Sequence, residues 1–267
     1  MAPNCAMPDS APLFALGEIA EDRLLDGRLI LNQPRKGHRA GTDAILLAAA
    51  LPELGTGPLL DVGAGVGTIG LAAALLQPGL SVALVERDPD IAALARLNVA
   101  ANGLGGRAQV IEADIEAPAA SLAELGLRQA SFACVAMNPP FYAAGETRVS
   151  PVAYRRAAHV VEGELENWFR AARRLLKPGG TIAIIHRAEA LPQILSGLQK
   201  GFGGVLVKPI QALPDRAAIR VVVRATLNSK KPAALLPALV LNRPEGGMSE
   251  LSEALHRGRA RLSMSAG

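Results

Sequence analysis

A strand that breaks into alternate glycines leaves a chain few ways to fold. Leu59-Leu-Asp-Val-Gly-Ala-Gly-Val-Gly-Thr-Ile-Gly70 has this form: an apolar run of Leu59, Leu60 and Val62, then Gly63, Gly65 and Gly67, then a helix-like Thr68 to Leu76. The apolar run reads as a buried strand. Glycine permits the tight turn and lets a ligand come within contact distance of the backbone. The amides that open the next helix can then hold polar or anionic groups. Gly65-x-Gly67-x-x-Gly70 also fits the dinucleotide fingerprint. Asp61, two residues before the first glycine, favours a different occupant. A carboxylate at the strand end suits the ammonium and amide groups of an amino-acid-bearing ligand better than it suits a pyrophosphate. A turn with no ligand at all would lose the backbone freedom of its glycines for nothing.

Two further acids follow. Ser81-Val-Ala-Leu-Val-Glu86 reads as a second strand ending in a carboxylate, and a helix with proline in its first turn runs from Asp88-Pro89 to Asn102-Gly103. The interval from Gly67 to Glu86 is close to the ~20 residues at which a strand-end acid accepts both ribose hydroxyls. Pairing of Glu86 with Arg87 is the alternative. The third strand, Ala108 to Glu112, leads to Asp114, which either accepts from an adenine amino group or caps the turn before Ile115.

The fourth strand, Ser131 to Met137, runs into Asn138-Pro139-Pro140-Phe141-Tyr142. Two prolines hold an extended backbone, so the Asn138 side chain and the Pro139 carbonyl become neighbouring acceptors beside the flat face of Phe141. Alone, this is a strand-terminating turn with an aromatic plug. Closing the fourth strand of a unit whose first strand carries the glycine turn, it reads as a site.

The flanks are plainer. Asp26-Gly27 predicts a hairpin within Asp22 to Gln33, after a start rich in Pro, Ala and Met that is expected to fray. Arg35, Lys36, His38 and Arg39 form a basic loop, either a solvated turn or a functional patch. Thr42-Asp43 is expected to cap a helix Ala44 to Leu51. Past the fourth strand come a helix Glu164 to Lys177 ended by Pro178-Gly-Gly180, a fifth strand Thr181 to His186, and an antiparallel closing pair, Gly204 to Ile210 with Ala218 to Ala225. After a further apolar run, Ala238 to Leu241, a helix Ser249 to Leu262 is expected. Its late His256, Arg257, Arg259 and Arg261 would complement the helix C-terminus or contact nucleic acid. Trp168, the only tryptophan, falls on an apolar stripe and is assigned to the core. His159 and His186 lack metal-ligand spacing and read as lone structural histidines, so no metal is expected.

Asp61-Val-Gly-Ala-Gly-Val-Gly67 resembles the first motif of class I S-adenosylmethionine-dependent methyltransferases. The expected fold is α/β and Rossmann-like: a mostly parallel seven-stranded sheet with an antiparallel closing strand and a small N-terminal hairpin extension. Residues 1–40 are expected to form a flexible N-terminus and the hairpin, and 41–267 the methyltransferase domain. The ingredients then describe transfer of a methyl group from a sulfonium to an amine on a flat ring. Such a methyl is already electrophilic, so neither a Ser-His pair nor a metal is needed. The enzyme has to place the amine in line and keep its lone pair out of the ring. Asn138 Oδ1 and the Pro139 carbonyl, each accepting one amino hydrogen, favour a pyramidal nitrogen. Orientation and stabilisation of charge developing on nitrogen would supply most of the acceleration, with Phe141 stacked on the ring. A base held in a stem or loop must be swung out to reach the pocket.

A narrower resemblance follows. Gly37-His-Arg39-Ala-Gly41-Thr42-Asp43-Ala-Ile-Leu-Leu47, Asn138-Pro-Pro-Phe-Tyr142 and Leu239-Val-Leu-Asn-Arg-Pro-Glu-Gly-Gly-Met-Ser-Glu250 match, in order, the bacterial valine-tRNA adenine methyltransferases. The resemblance spans roughly Asp22 to Leu255. It implies methylation of the exocyclic amine of an adenosine beside the anticodon, and it alone places Arg39 and Thr42 near the cofactor and acceptor pocket. The full expected cofactor set is Arg39, Thr42, Asp61, Gly63, Gly65, Gly67, Glu86, Asp114 and Asn138; the catalytic set is Asn138, Pro139, Pro140 and Phe141. Phe141 stands where many relatives carry tyrosine, and Met248-Ser249 where an aromatic-plus-hydroxyl pair is usual. The competing activity is methylation of a glutamine amide in a release factor, whose planar nitrogen suits the same acceptors. The short hairpin, in place of an N-terminal helical bundle, argues against it. A non-catalytic nucleotide-binding module is the third reading, and the intact Asn138 motif argues against that.

Composition sets outer bounds. At 267 residues, half of them hydrophobic and 3% aromatic, the chain can bury a full α/β core. The net charge of +4 permits a polyanionic partner without demanding one; tRNA is the expected partner, to a monomer or a homodimer. Cys5 and Cys134 make no metal spacing and fit a reduced, cytosolic setting. No charged start followed by an apolar core precedes Ser10, so no secretory signal is expected. Apolar runs such as Ala44 to Leu51 are too short to span a bilayer, and a cytoplasmic location without a membrane partner is expected.

Overall fold

The computed structural model describes residues 18–35, 41–139 and 162–266. The expectations for Cys5, Lys36, His38, Arg39, Pro140, Phe141, Tyr142 and His159 lie outside the described residues.

In chain order, β1 (Ile19–Leu24) and β2 (Leu29–Pro34) precede α1 (Thr42–Ala50), β3 (Pro58–Val62), α2 (Thr68–Leu76), β4 (Ser81–Glu86), α3 (Pro89–Ala101) and β5 (Ala108–Glu112). Then come α4 (Ala119–Glu124), β6 (Phe132–Met137), α5 (Glu162–Leu175), β7 (Leu176–Arg187), α6 (Leu191–Leu198), β8 (Phe202–Gln211) and β9 (Ala218–Leu227). The two-residue strands β10 (Ala234–Leu235) and β11 (Leu239–Val240) and the helix α7 (Glu250–His256) follow. The main sheet runs β10-β8-β9-β7-β6-β3-β4-β5, with β11 also paired to β8. Strands β3 to β7 are parallel, and β9 runs antiparallel to both β7 and β8. Seven strands thus form the expected Rossmann-like class I sheet with its antiparallel closing strand. The short β10 and β11, parallel to β8, extend its margin.

Both faces of the sheet are covered, which is why β3, β4 and β6 read as unbroken apolar runs rather than alternating ones. One face packs Ile45 and Leu46 of α1, Leu71 of α2 and Val99 of α3; the other packs Leu122 of α4, Phe169 and Ala172 of α5 and Ile194 of α6. Cys134 is a free, buried thiol on β6. Among the described residues no helix is long and apolar enough to cross a membrane.

The hairpin turns where Asp26-Gly27 predicted, with Leu25, Asp26 and Gly27 all at positive φ. Its outer edge is zipped to α3 by side chains. The Asn102 amide bonds the Ile30 N–H at 2.8 Å and the Ile30 carbonyl at 2.6 Å; that of Asn98 bonds the Asn32 N–H at 2.7 Å and the Asn32 carbonyl at 2.9 Å. Four residues of helix rise about 6 Å and two residues of strand about 6.6 Å. Asparagines one turn apart can therefore stand in for a neighbouring strand.

Three local expectations are corrected. Thr42 and Asp43 do not cap α1; Gly41 occupies the N-cap, with no side-chain cap bond. Asp43 instead pairs with Arg220 at 2.8 Å, and Thr42 Oγ1 meets His256 Nε2 at 3.2 Å. Helix α5 ends at Leu175, and Pro178-Gly-Gly180 falls inside β7, whose register with β6 shifts between Phe132 and Cys134. Helix α7 starts on a Ser249 cap as expected but ends at His256, with Gly258 at φ +62° just beyond it. The cations past that point serve tertiary contacts: Arg259 pairs with Asp26, and Arg261 donates to the Leu51 carbonyl.

Candidate functional site

The glycine turn and Asn138 are neighbours because the sheet reverses direction between them. From β3 the chain builds outward through β4 and β5, then crosses back to lay β6 on the other side of β3, with Val62 opposite Met137. A crevice opens at the carboxyl ends of strands at such a switch point. Residues leaving β3 and β6 emerge about 4.8 Å apart, the spacing of adjacent strands.

The turn is held from behind. Gly63, Gly65 and Gly67 have φ of +62°, +57° and +91°, the left-handed region that side chains disfavour. Ala64 N–H donates to the Val85 carbonyl and Gly67 N–H to the Ala64 carbonyl, both at 2.9 Å. Gly65 N–H donates to Glu86 Oε2 and Gly70 N–H to Asp61 Oδ2, again at 2.9 Å. The amides of Thr68 and Ile69, in the first turn of α2, have no acceptor within the helix. A methyl placed on Gly65 would meet nothing within 4 Å among the described residues, so among them the turn is open on that side.

At Gly63 a methyl would lie 2.6 Å from the Trp168 ring. Trp168 therefore corrects its assignment: half-buried, it packs partly on the core and partly on the turn. The apolar stripe showed which way the ring points along α5, and nothing local showed that Gly63 lies there.

Asp61 is fully buried, and its Oδ1 has no hydrogen-bond partner among the described residues. Burial pushes its pKa up from 3.8 to about 7; the Gly70 amide pulls the other way and the nearby Glu86 charge adds to the rise. The fold thus keeps a proton on Asp61 up to about pH 7, whereas the unfolded chain releases it near pH 4. This contribution to stability is fully present below the unfolded value and is lost as pH rises to about 7. Thermal unfolding followed from about pH 5 to about pH 8 should show a shallower decline in Asp61→Asn than in the parent. Parallel curves would mean that Asp61 does not titrate in this range.

Glu86 is 7% exposed, and Oε1 accepts from the Asp88 N–H at 2.9 Å. Burial raises its pKa, against the amides of Asp88, Gly65 and Arg87. These three amides face a carboxylate that offers about four acceptor positions, which leaves room for one further donor. Asp114 is exposed at the end of β5, and its Oδ1 accepts from the Glu116 N–H at 2.9 Å, the turn-capping alternative.

Asn138 leaves β6 with its Oδ1 buried and without a partner among the described residues, beside a buried Pro139. Thr42 is placed elsewhere. It lines a cleft of about 550 Å³ with His256, Arg243, Met248 and Asp26, which none of Asp61, Gly63, Gly65, Gly67, Glu86 or Asn138 lines. Among the described residues no group of three or more His, Cys, Asp or Glu could hold a metal ion.

Comparison with known proteins adds the following. The family model "Methyltransferase small domain" matches residues 39–209, a span holding the glycine turn, Glu86, Asp114 and Asn138. The tRNA1(Val) (adenine(37)-N6)-methyltransferase of Aeromonas hydrophila is 31% identical over 166 residues, 62% of this chain and 66% of that protein. The ribosomal RNA small subunit methyltransferase C of Pseudomonas syringae pv. syringae is 30% identical over 182 residues, 67% of this chain and 47% of that protein. The chain spans just under two thirds of the length of the first such tRNA methyltransferases. A solved structure, a predicted O-methyltransferase from Agrobacterium tumefaciens, superposes with a TM-score of 0.71 at 27% identity, covering 82% of this chain and 98% of that one.

Proposed function

The chain belongs to the methyltransferase small-domain family, and from that membership we propose that it methylates the exocyclic amine of an adenine in tRNA in the cytoplasm, with S-adenosylmethionine as cofactor. Following the names of its relatives, the tRNA is the valine one and the adenine lies beside the anticodon.

The observation that carries this reading is Asn138 Oδ1, a buried acceptor with no donor among the described residues, at the strand end beside the glycine turn. A buried amide oxygen left unpaired is costly, and a planar amine brings the missing donor. One amino hydrogen goes to Asn138 Oδ1 and the other to the Pro139 carbonyl. With both hydrogens held, the nitrogen lone pair leaves the ring plane and turns toward the glycine turn, while Phe141 stacks on the base.

The residues around the turn suit the cofactor. Gly65 is open toward the crevice, and Glu86 has acceptor capacity left for a ribose hydroxyl beside its three amides. The positive charge of the bound cofactor would favour the ionised form of the buried Asp61. When bound, S-adenosylmethionine supplies the electrophilic methyl group. Arg39 and Asp114 belong to the same proposed set, with Arg39 on the acceptor side; Thr42, which lines the separate cleft with His256, leaves that set. Pro140 stays in the proposed catalytic set as the second proline of the motif.

The test is methyl transfer from labelled S-adenosylmethionine to unmodified tRNA, ribosomal RNA and release factor, read by mass spectrometry of nucleosides and peptides. N6-methyladenosine confined to tRNA is the expected result, with acceptor binding that weakens steeply as salt rises. Label in glutamine, or in ribosomal RNA alone, would replace the tRNA reading.

A further inference from the structure

Asn98 is fully buried on α3 and uses all four hydrogen-bonding positions of its side-chain amide. Oδ1 accepts from the Asn32 backbone N–H at 2.7 Å and from the Asn32 side chain at 3.1 Å; Nδ2 donates to the Asn32 carbonyl at 2.9 Å and to the Val66 carbonyl at 3.0 Å. Val66 lies inside the glycine turn, so one side chain ties the hairpin backbone to the turn backbone. An apolar contact runs alongside, with Val66 buried together with Leu31 of β2 and Ile91 and Leu94 of α3.

The peptide between Val66 and Gly67 is consequently gripped at both ends. Its carbonyl is held by Asn98 and its N–H by the Ala64 carbonyl. A peptide plane gripped this way cannot rotate, which fixes Gly67 at its φ of +91° and aims the amides at the entrance of α2. Asn102, one helical turn later, serves as the natural contrast. It bonds Ile30 twice and the Asn98 carbonyl once, and it makes no bond to the turn.

We propose that Asn98 is a positioning residue for cofactor binding: it locks the Val66–Gly67 peptide to the β1–β2 hairpin and makes the hairpin a working part of the cofactor site. The inference rests on the reading that the turn receives S-adenosylmethionine. The hairpin, which looks like an appendage along the sequence, then acts as the back wall of the pocket.

The experiment compares Asn98→Ala and Asn102→Ala in the full chain, measuring the thermal midpoint and the affinity for S-adenosylhomocysteine by calorimetry. Both variants lose hairpin bonds, and both midpoints should fall. Only Asn98→Ala should weaken binding, by about tenfold, the scale of one buried hydrogen bond lost; Asn102→Ala should bind within about twofold of the parent. Leu31→Val, a milder change that loosens the contact with Val66 and leaves Asn98 in place, should weaken binding severalfold and keeps the test open if Asn98→Ala does not fold. Equal affinities in Asn98→Ala and Asn102→Ala, or an unchanged affinity in Leu31→Val where Asn98→Ala does not fold, would overturn the positioning role. A parent protein that fails to bind S-adenosylhomocysteine would instead sink the methyltransferase reading, and this inference with it.

Discussion

Asn138→Ala is expected to lower methyl transfer by roughly 10²–10³-fold while S-adenosylhomocysteine affinity stays within about threefold of the parent. Oδ1 is a buried acceptor without a partner among the described residues, so on the proposed reading its bond to the amine forms only when the acceptor base enters. An interaction of that kind appears in kcat far more than in cofactor binding. Little should change in the fold, since truncation to alanine removes an unsatisfied polar atom from the interior. Steady-state kinetics with tRNA, alongside calorimetry with the product cofactor, separates the two effects. A kcat equal to the parent's would take Asn138 out of the catalytic set, and a parallel collapse of cofactor affinity would make it a cofactor residue only.

Gly65→Ala should have the largest effect on cofactor binding, weakening it by about 100-fold or more through a methyl placed where the ligand must make contact. Among the described residues that methyl meets nothing within 4 Å. The penalty to the fold is then only the left-handed backbone, about 1–2 kcal/mol at a φ of +57°. Gly70→Ala provides the control. Its methyl would lie 2.3 Å from Leu84 Cδ2 and 2.7 Å from Val82 Cγ1, inside the packed core, where overpacking costs about 1–3 kcal/mol. Gly65→Ala should therefore unfold at a slightly lower temperature yet fail to bind, whereas Gly70→Ala should lose more stability than its affinity loss accounts for. Parent-like affinity in Gly65→Ala would show that the ligand does not cross the turn there.

Features set by near neighbours were legible along the chain. Asp88 before Pro89 caps α3, accepting from the amides of Asp90 and Ile91; Asp26-Gly27 makes the hairpin turn, and the apolar run ending at Glu86 is β4. Features set by distant partners were not. Thr42-Asp43 ahead of an apolar run looks like a cap, but Asp43 is drawn to Arg220, 177 positions later. Asn98 and Asn102 are indifferent helix formers by propensity; the strand they zip lies 66 and 72 positions upstream. The stretch after His256 has helix-like composition, but Arg259 and Arg261 are tied to Asp26 and Leu51. Within the candidate site, Asp61, Glu86 and Asn138 could be proposed because motif spacing carries them. The contact of Trp168 with Gly63 depends on how α5 lies across the sheet, which no spacing records.

The two short segments laid along β8 have a wider effect. An exposed strand end to end offers a ladder of amides and carbonyls to any stray polypeptide. With Ala234–Leu235 and Leu239–Val240 bonded to it, β8 has much of that ladder already occupied by its own chain. Uninvited strand addition is thereby steered to the opposite rim, where β5 shows Gln109 and a Glu112 paired with Arg96 at 3.2 Å, charges that make the rim a poor template for growth.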